Sequence, residues 1–256
     1  MRISTIAIGG LMLAASATPA FADDAAPPPE FTINGTAAVV SDYRFRGISQ
    51  TDKNGAIQGS ITITHKSGFY ASVWGSSIDD YVTAAGTGNQ EIDIIGGYSH
   101  SFGSIKLDGG VLYYFYPKTK VAGVSSDFFE PYFDVSTTVG PVSAKATVNY
   151  APAQKALGVC QGGCGEKAND NVYLAGDFSV AIPKTPLGLT AHVGHSWGPT
   201  WLTIGNEYTD YSFGATATYK MLTLGVSYVG TDGDFITPSG KNASSGGAVF
   251  SLTAAF

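Results

Sequence analysis

Ala248-Val249-Phe250-Ser251-Leu252-Thr253-Ala254-Ala255-Phe256 closes the chain and sets the reading of everything before it. Ala248, Phe250, Leu252, Ala254 and Phe256 share one face, and Val249, Ser251, Thr253 and Ala255 share the other. Alternation at period two is the mark of a strand with two unlike sides. At the opposite end, Arg2 precedes an apolar stretch from Ile6 to Ala15, and Ala20-Phe21-Ala22 has the small-x-small pattern of a cleavage site. This predicts a signal peptide over 1–22. The apolar stretch is too short to anchor the protein, since a spanning helix needs about 20 apolar residues. An export signal and a terminal strand closing on Phe256 together point to an outer-membrane β-barrel, with Phe256 as the C-terminal signal read by the barrel assembly machinery.

The composition agrees. Only 13% of residues are charged, against about 25% in an ordinary soluble domain. The chain has 33 glycines, 14 tyrosines and 14 phenylalanines, and its net charge is −6. Few charges, many glycines and aromatics, and no long apolar run fit a membrane barrel better than a secreted sandwich. The acidic balance, with Arg44 and Arg46 the only arginines after the signal, argues against nucleic acid as a partner. Cys160 and Cys164 flank Gln-Gly-Gly. In the oxidising compartment reached by export, a disulfide closing a tight surface loop is the expected state, with metal binding the alternative.

Residues 23–30, with three consecutive prolines, predict a disordered leader to a single barrel domain over 31–256. Strands are expected at 31–46, 56–65, 69–79, 91–100, 105–116, 128–139, 142–151, 171–182, 187–197, 210–219, 222–231 and 247–256. An even number of strands, about 12, is what bacterial single-chain barrels use. Short turns (66–68, 101–104, 140–141, 183–186, 220–221) alternate strictly with long loops (47–55, 80–90, 117–127, 152–170, 198–209, 232–246). Short turns are periplasmic and long loops extracellular in such barrels, which puts both termini in the periplasm.

One face of each strand is apolar. In 142–151 it is Val142, Ala144, Ala146, Val148 and Tyr150, opposite Ser143, Lys145, Thr147 and Asn149. On that face Tyr43, Phe45, Tyr113, Phe115, Phe129, Tyr150, Trp197, Tyr211 and Tyr228 lie at loop ends. Phe31, Phe69, Tyr98, Tyr219 and Phe256 lie at turn ends. Two aromatic belts around an aliphatic band are what two lipid interfaces select. Pro131 inside 128–139 lacks a ladder donor and predicts a bulge or a late strand start. Segment 198–209 is expected to hold a short strand extension.

The polar face supplies the candidate pore-lining residues: Asp42, Arg44, Arg46, Glu91, Asp93, Lys106, Asp108, Glu130, Asp134, Lys145, Asp177 and Asp210. Charges of both signs either line a watery pore or pair into a network that fills the lumen. Twelve strands fall between filled eight-stranded barrels and open channels of 16 or more. Small inward residues such as Ser60, Thr62, Ser72, Ser143 and Thr147 favour open space, and the excess of acids favours cations. An outer-membrane hydrolase would need a nucleophile beside a base. His192 and His195 are three apart and face opposite sides of a strand, and Ser196 lies about 13 Å along from His192. No catalytic, cofactor or metal set emerges, so the chain is read as not an enzyme. The expected partners are outer-membrane lipid and small solutes or ions. Loops rich in Gly, Thr, Ser and Asp leave a closed structural or ligand-binding barrel as the alternative to a channel.

Val40-Ser41-Asp42-Tyr43-Arg44-Phe45-Arg46-Gly47-Ile48-Ser49-Gln50-Thr51 closely resembles the opening signature of the TorF porin family of proteobacteria. The likeness continues through 68–75, 91–98, 110–117, Phe129-Glu130-Pro131-Tyr132, 191–194 and 224–232, nearly the whole mature chain. The resemblance implies an outer-membrane channel. Among matched charged positions are Asp42, Arg44, Arg46, Glu91, Asp93 and Glu130, whereas Cys160 and Cys164 lie outside the matched motifs.

Overall fold

A computed structural model describes residues 29–117, 123–159, 169–203 and 205–256. In chain order the strands are β1 (Phe31–Val40), β2 (Arg44–Phe45), β3 (Ile48–Ser49), β4 (Ala56–His65), β5 (Phe69–Ser77), β6 (Gln90–Phe102), β7 (Ile105–Phe115), β8 (Phe128–Val139), β9 (Val142–Ala151), β10 (Asn171–Ala181), β11 (Leu187–Trp197), β12 (Tyr208–Tyr219), β13 (Leu222–Thr231) and β14 (Gly247–Ala255). All except β2 and β3 form one closed antiparallel barrel of twelve strands, each paired with the next and β14 paired with β1. Eleven of the twelve expected strands fall within two residues of their predicted bounds.

Closure draws on the end of the chain. Phe256 and Gly35 exchange both backbone hydrogen bonds, at 2.7 and 3.0 Å, extending the register Thr36↔Ala255 to Val40↔Ser251. The Phe256 ring occupies the space beside Gly35, where a Cβ would stand 2.5 Å from the ring edge. Closing the sheet satisfies the edge groups that lipid cannot.

The wall is apolar outside and polar inside. Ile57, Ile61, Val73, Ile94, Val111, Val193 and Phe250 are exposed on the outer face. In water each would forgo about 1.5–3 kcal/mol of burial; lipid removes that penalty. The aromatics expected in the belts are also exposed: Tyr113, Phe129, Tyr150, Trp197, Tyr211 and Tyr228 toward the loops, and Phe31, Phe69, Tyr98, Tyr219 and Phe256 toward the turns.

The first expected strand is where the fold departs from the reading. The chain leaves the wall after Val40, and residues 41–55 turn into the lumen. There β2 and β3 form a small hairpin, with Phe45 opposite Ile48. Its two-residue loop has positive φ at both positions, Arg46 at 46° and Gly47 at 80°, the backbone of a type I′ turn. Tyr43 is therefore buried at 3% exposure, and Phe45 packs against the inner apolar cluster. Both are corrected from lipid-facing to lumen-facing. A hairpin surrounded by protein buries both of its faces, so alternation no longer separates lipid from water.

The hairpin tip touches the wall at β12 and β13, because a Cβ on Gly47 would meet Thr231 and come within 2.9 Å of the Asp210 Cβ. Gly47→Ala thus adds a left-handed alanine and a steric conflict. We expect a loss of about 1–3 kcal/mol, read as a lower midpoint for thermal unfolding in detergent; an unchanged midpoint would remove the tip from the contacts that hold the lumen.

Two other expectations resolve. Pro131 sits in β8 without a bulge against β7, in register with Val111. The ladder to β9 begins only at Tyr132↔Asn149, which is a late start on that side. Phe129 and Pro131, two apart, aim their backbone groups at the same neighbour. The Gln154 side chain takes up the Phe129 N–H and C=O, both at 2.9 Å, in place of ladder bonds to β9. The 198–209 extension is limited to Tyr208 and Thr209, where β12 starts; before it Trp201–Thr203 forms a short 3-10 turn with Leu202 and Thr203 buried. A second short turn, Asp80–Val82, buries Tyr81 and Val82 over the same mouth.

Candidate functional site in the barrel lumen

Residues 41–55 organise the loop half of the lumen. Asp42 holds the hairpin from within: Arg44 Nε donates to its Oδ2 at 2.6 Å and Ser49 Oγ to its Oδ1 at 2.6 Å. Arg44 Nη1 also donates to the carbonyls of Gly47, Ala243 and Ser245, tying the hairpin to the last loop. A second tie runs through Asp52, which accepts from Thr237 and Ser239, both at 2.8 Å, and pairs with Lys241 at 3.0 Å. Burial would raise the Asp52 carboxyl, but the donors Ser239, Thr237 and Lys241 outweigh it and hold the carboxyl below its ordinary range.

Arg46 crosses to the opposite wall. Its guanidinium donates to Glu130 at 2.7 Å and to Asn171 Oδ1 at 3.0 Å, and lies over the Tyr173 ring at 4.1 Å. Glu130 is fully buried and also accepts from Tyr114 at 3.1 Å and Asn149 at 3.2 Å. From Tyr173 the network continues: its hydroxyl reaches Asp210 at 3.0 Å, and His192 stands between Asp210 (2.9 Å) and Asp177 (2.7 Å). Lys145 then pairs with Asp177 at 3.0 Å. One chain of polar contacts therefore runs from β9 through β10, β11 and β12 to the hairpin and β8. Such a network is worth having only when every member is satisfied, since an unpaired buried charge is expensive.

The turn half is lined by Thr62, Ser72, Thr147, Ser212 and Thr223, with Lys106 and Asp108 paired at 3.2 Å. Tyr70 and Tyr132 share a hydrogen bond, and Tyr70 donates to Asp108 at 2.7 Å. Asp134 is buried and its Oδ1 has no hydrogen-bond partner among the described residues.

All twelve candidate residues thus face the interior. Glu91, Asp93, Lys106, Asp108, Glu130, Asp134, Lys145, Asp177 and Asp210 do so from the wall, whereas Asp42, Arg44 and Arg46 do so from the hairpin. Sequence reading missed the uncharged partners Tyr43, Tyr114, Asn171 and Tyr173. Tyr114 shares the inward parity of Lys106 and Asp108, and Tyr173 that of Asn171 and Asp177, and that parity was the available signal.

Glu91 and Asp93 stand apart from this network. Both are 3% exposed. Glu91 accepts from the Tyr43 hydroxyl at 3.1 Å. Burial first, then the charges of Glu91 and Asp93, push the Tyr43 phenol well above its ordinary value, so it remains a donor. Asp93 Oδ1 has no partner among the described residues.

His192 and His195 do face opposite sides, His195 bonding Thr209 at 2.9 Å and lying against Trp197. Both His192 nitrogens are engaged by carboxylates, while Ser196 bonds Asn171. Neither is placed to activate the other. Among the described residues no three His, Cys, Asp or Glu side chains converge as a metal site requires; Asp177 and Asp210 lie on opposite sides of the His192 ring. Cys160 and Cys164, and the signal peptide over 1–22, lie outside the described residues.

Among solved structures, the NanC porin is similar in fold, with a TM-score of 0.56 at 10% identity, over 88% of this chain and 99% of that one. Looser matches include the outer membrane channel DcaP of Acinetobacter baumannii (TM-score 0.44, 11% identity, 88% and 97% covered) and a porin refined at 1.8 Å (0.41, 13%, 89% and 100%). At these identities the likeness speaks of fold alone. No curated protein matches the sequence significantly. The model of the family Gcw_chp, described as a bacterial protein of unknown function, matches residues 22–256. That match spans nearly the full length, and the chain belongs to the Gcw_chp family.

Proposed function

We propose that this protein is a porin-like channel of the bacterial outer membrane through which small hydrophilic solutes or ions diffuse passively. The observation that carries the reading is a polar, charge-bearing interior inside a closed wall whose exterior suits lipid. The porin-type fold and the TorF resemblance support it. In this reading residues 1–22 direct export, both termini lie in the periplasm, and the strand ending in Phe256 is read by the assembly machinery. The inward acids outnumber the inward bases and favour cations.

Planar-bilayer recording of the refolded barrel under a salt gradient tests this. Stable conductance steps with a cation-biased reversal potential are expected. An anion-biased potential would overturn the selectivity.

A second reading, a closed barrel acting through its loops, draws on one specific observation. Residues 41–55 and an apolar cluster including Tyr43, Trp74, Tyr114 and Leu157 occupy the loop half of the interior. Silence from protein shown to be folded would favour that reading over the channel.

A further inference from the structure

At the loop end the hairpin and the inward-folded loops leave a small, partly enclosed cleft of about 50 Å³. Its lining is largely aromatic and includes Glu91, the one carboxylate or basic side chain among the residues that line it. Tyr114 and Phe128 stack with centroids 4.3 Å apart, and Phe45 meets Tyr114 edge-on at 6.0 Å. Tyr116 and Trp201 complete the walls.

Behind Glu91, two residues along the same inward face of β6, lies Asp93, in register with the cleft residue Tyr114. Neither acid enters an ion pair among the described residues. The nearby hairpin arginines are already committed, Arg44 to Asp42 and Arg46 to Glu130. The Asp93 Oδ1 atom is buried without a partner. With no cation beside them, burial favours the protonated form of both acids. A ligand cation in the cleft would favour the ionised Glu91 carboxylate and supply its countercharge.

We propose that the cleft binds a compact organic cation of the alkylammonium or quaternary ammonium class, its charge directed at Glu91 and its alkyl groups against the rings. The chemistry excludes the simpler alternatives. A calcium ion takes six to eight oxygen ligands and magnesium a near-octahedral set, and one carboxylate amid aromatic rings offers neither. A neutral sugar could stack on the rings but would bring no countercharge to Glu91. An anion would face that carboxylate directly. An organic cation satisfies both components, because ring faces attract cations by about 0.5–2 kcal/mol each and the carboxylate supplies the countercharge. The inference rests on the lumen opening to solvent at the loop end, as in the proposed function, but it does not require conduction.

The test is calorimetric titration of the refolded full-length barrel with tetramethylammonium chloride, against sodium chloride, sodium acetate and glucose at matched ionic strength. Saturable one-to-one heat with tetramethylammonium alone is expected. Glu91→Gln keeps an acceptor for Tyr43 but removes the charge, and should weaken binding about tenfold or more. Trp201→Ala at the cleft wall should weaken it about two- to fivefold. No saturable heat, equal binding of glucose or acetate, or full binding by folded Glu91→Gln protein would each overturn the inference. Bilayer recording of the same preparation separates the two readings. Binding without conductance sinks the channel and keeps the cleft; conductance without binding does the reverse.

Discussion

Arg46→Ala is expected to lower the stability of the folded barrel by about 3–5 kcal/mol, the range found when one partner of a buried ion pair is removed. The reason lies in what is left behind. Glu130 has no exposure at all, and Arg46 is its only cationic partner among the described residues. Tyr114 and Asn149 still donate to Glu130, which places the effect nearer the lower end of that range. Asn171 Oδ1 also loses its strongest donor. Guanidinium unfolding in detergent, followed by tryptophan fluorescence, gives the number. A variant as stable as the parent would mean that the hairpin is held by Asp42 and Arg44 and not by its tip. The double variant Arg46→Met/Glu130→Leu separates charge from shape: it removes the unpaired buried charge but leaves Tyr114, Asn149 and Asn171 each short of a partner, so it should restore only part of the loss. If the lumen conducts, releasing this tie frees residues 41–55 from the far wall, and Arg46→Ala should show larger single-channel steps than the double variant.

How much of this was legible before the structure differs sharply between wall and lumen. The wall was almost fully readable because each strand carries its own evidence. Val142 to Ala151, for example, alternates apolar and polar from end to end, and a short turn at Gly140-Pro141 fixes its start. Lipid outside and polar groups inside impose period two on every strand, so local pattern and global fold agree. The segment Asp42 to Arg46 imitates that pattern. Its charges fall on even positions and its aromatics on odd ones, as they would on the wall. What pulls it inward is non-local: Glu130 is 84 residues away and Asn171 is 125. No window of sequence contains those pairs. One local clue was present, Arg46-Gly47, since a glycine in a two-residue turn suits positive φ. The arginine disguised it, because such turns more often begin with Asn, Asp or Gly.

The same distinction explains the candidate residues. Facing is a local property, fixed by parity along a strand, and all twelve charged positions do lie inside. Pairing is not local. Lys145 and Asp177 are opposite one another only because β9 and β10 adopt one register, and the placement of His192 between two acids depends on β11 and β12 as well. Glu91 and Asp93 looked from sequence like any other inward acids. Their lack of a cation partner emerges only when the arginines are seen committed elsewhere.

Ile61→Arg is the substitution that puts the membrane reading most directly at risk. Ile61 lies midway along β4, is 57% exposed, and has Val73 and Gly35 as its cross-strand neighbours. In a water-soluble barrel such a position accepts arginine with little effect, and shedding exposed apolar surface would even improve solubility. In a bilayer, an arginine near the midplane of the lipid face costs about 2–4 kcal/mol, because neither end of the side chain easily reaches water. The comparison needs an inward control of similar depth, and Ser227→Lys on β13 serves, with its side chain toward the lumen and its neighbours Gly214 and Val249. We expect Ile61→Arg to reduce folded yield and unfolding free energy in lipid vesicles, while Ser227→Lys stays within about 1 kcal/mol of the parent. Equal tolerance of the two changes in vesicles would mean that the exposed face of β4 does not meet lipid. The outer aromatic belts would then need another explanation. A large loss confined to the inward lysine would point to an interior too tightly filled for any solute, and would shift the balance from a channel to a closed barrel.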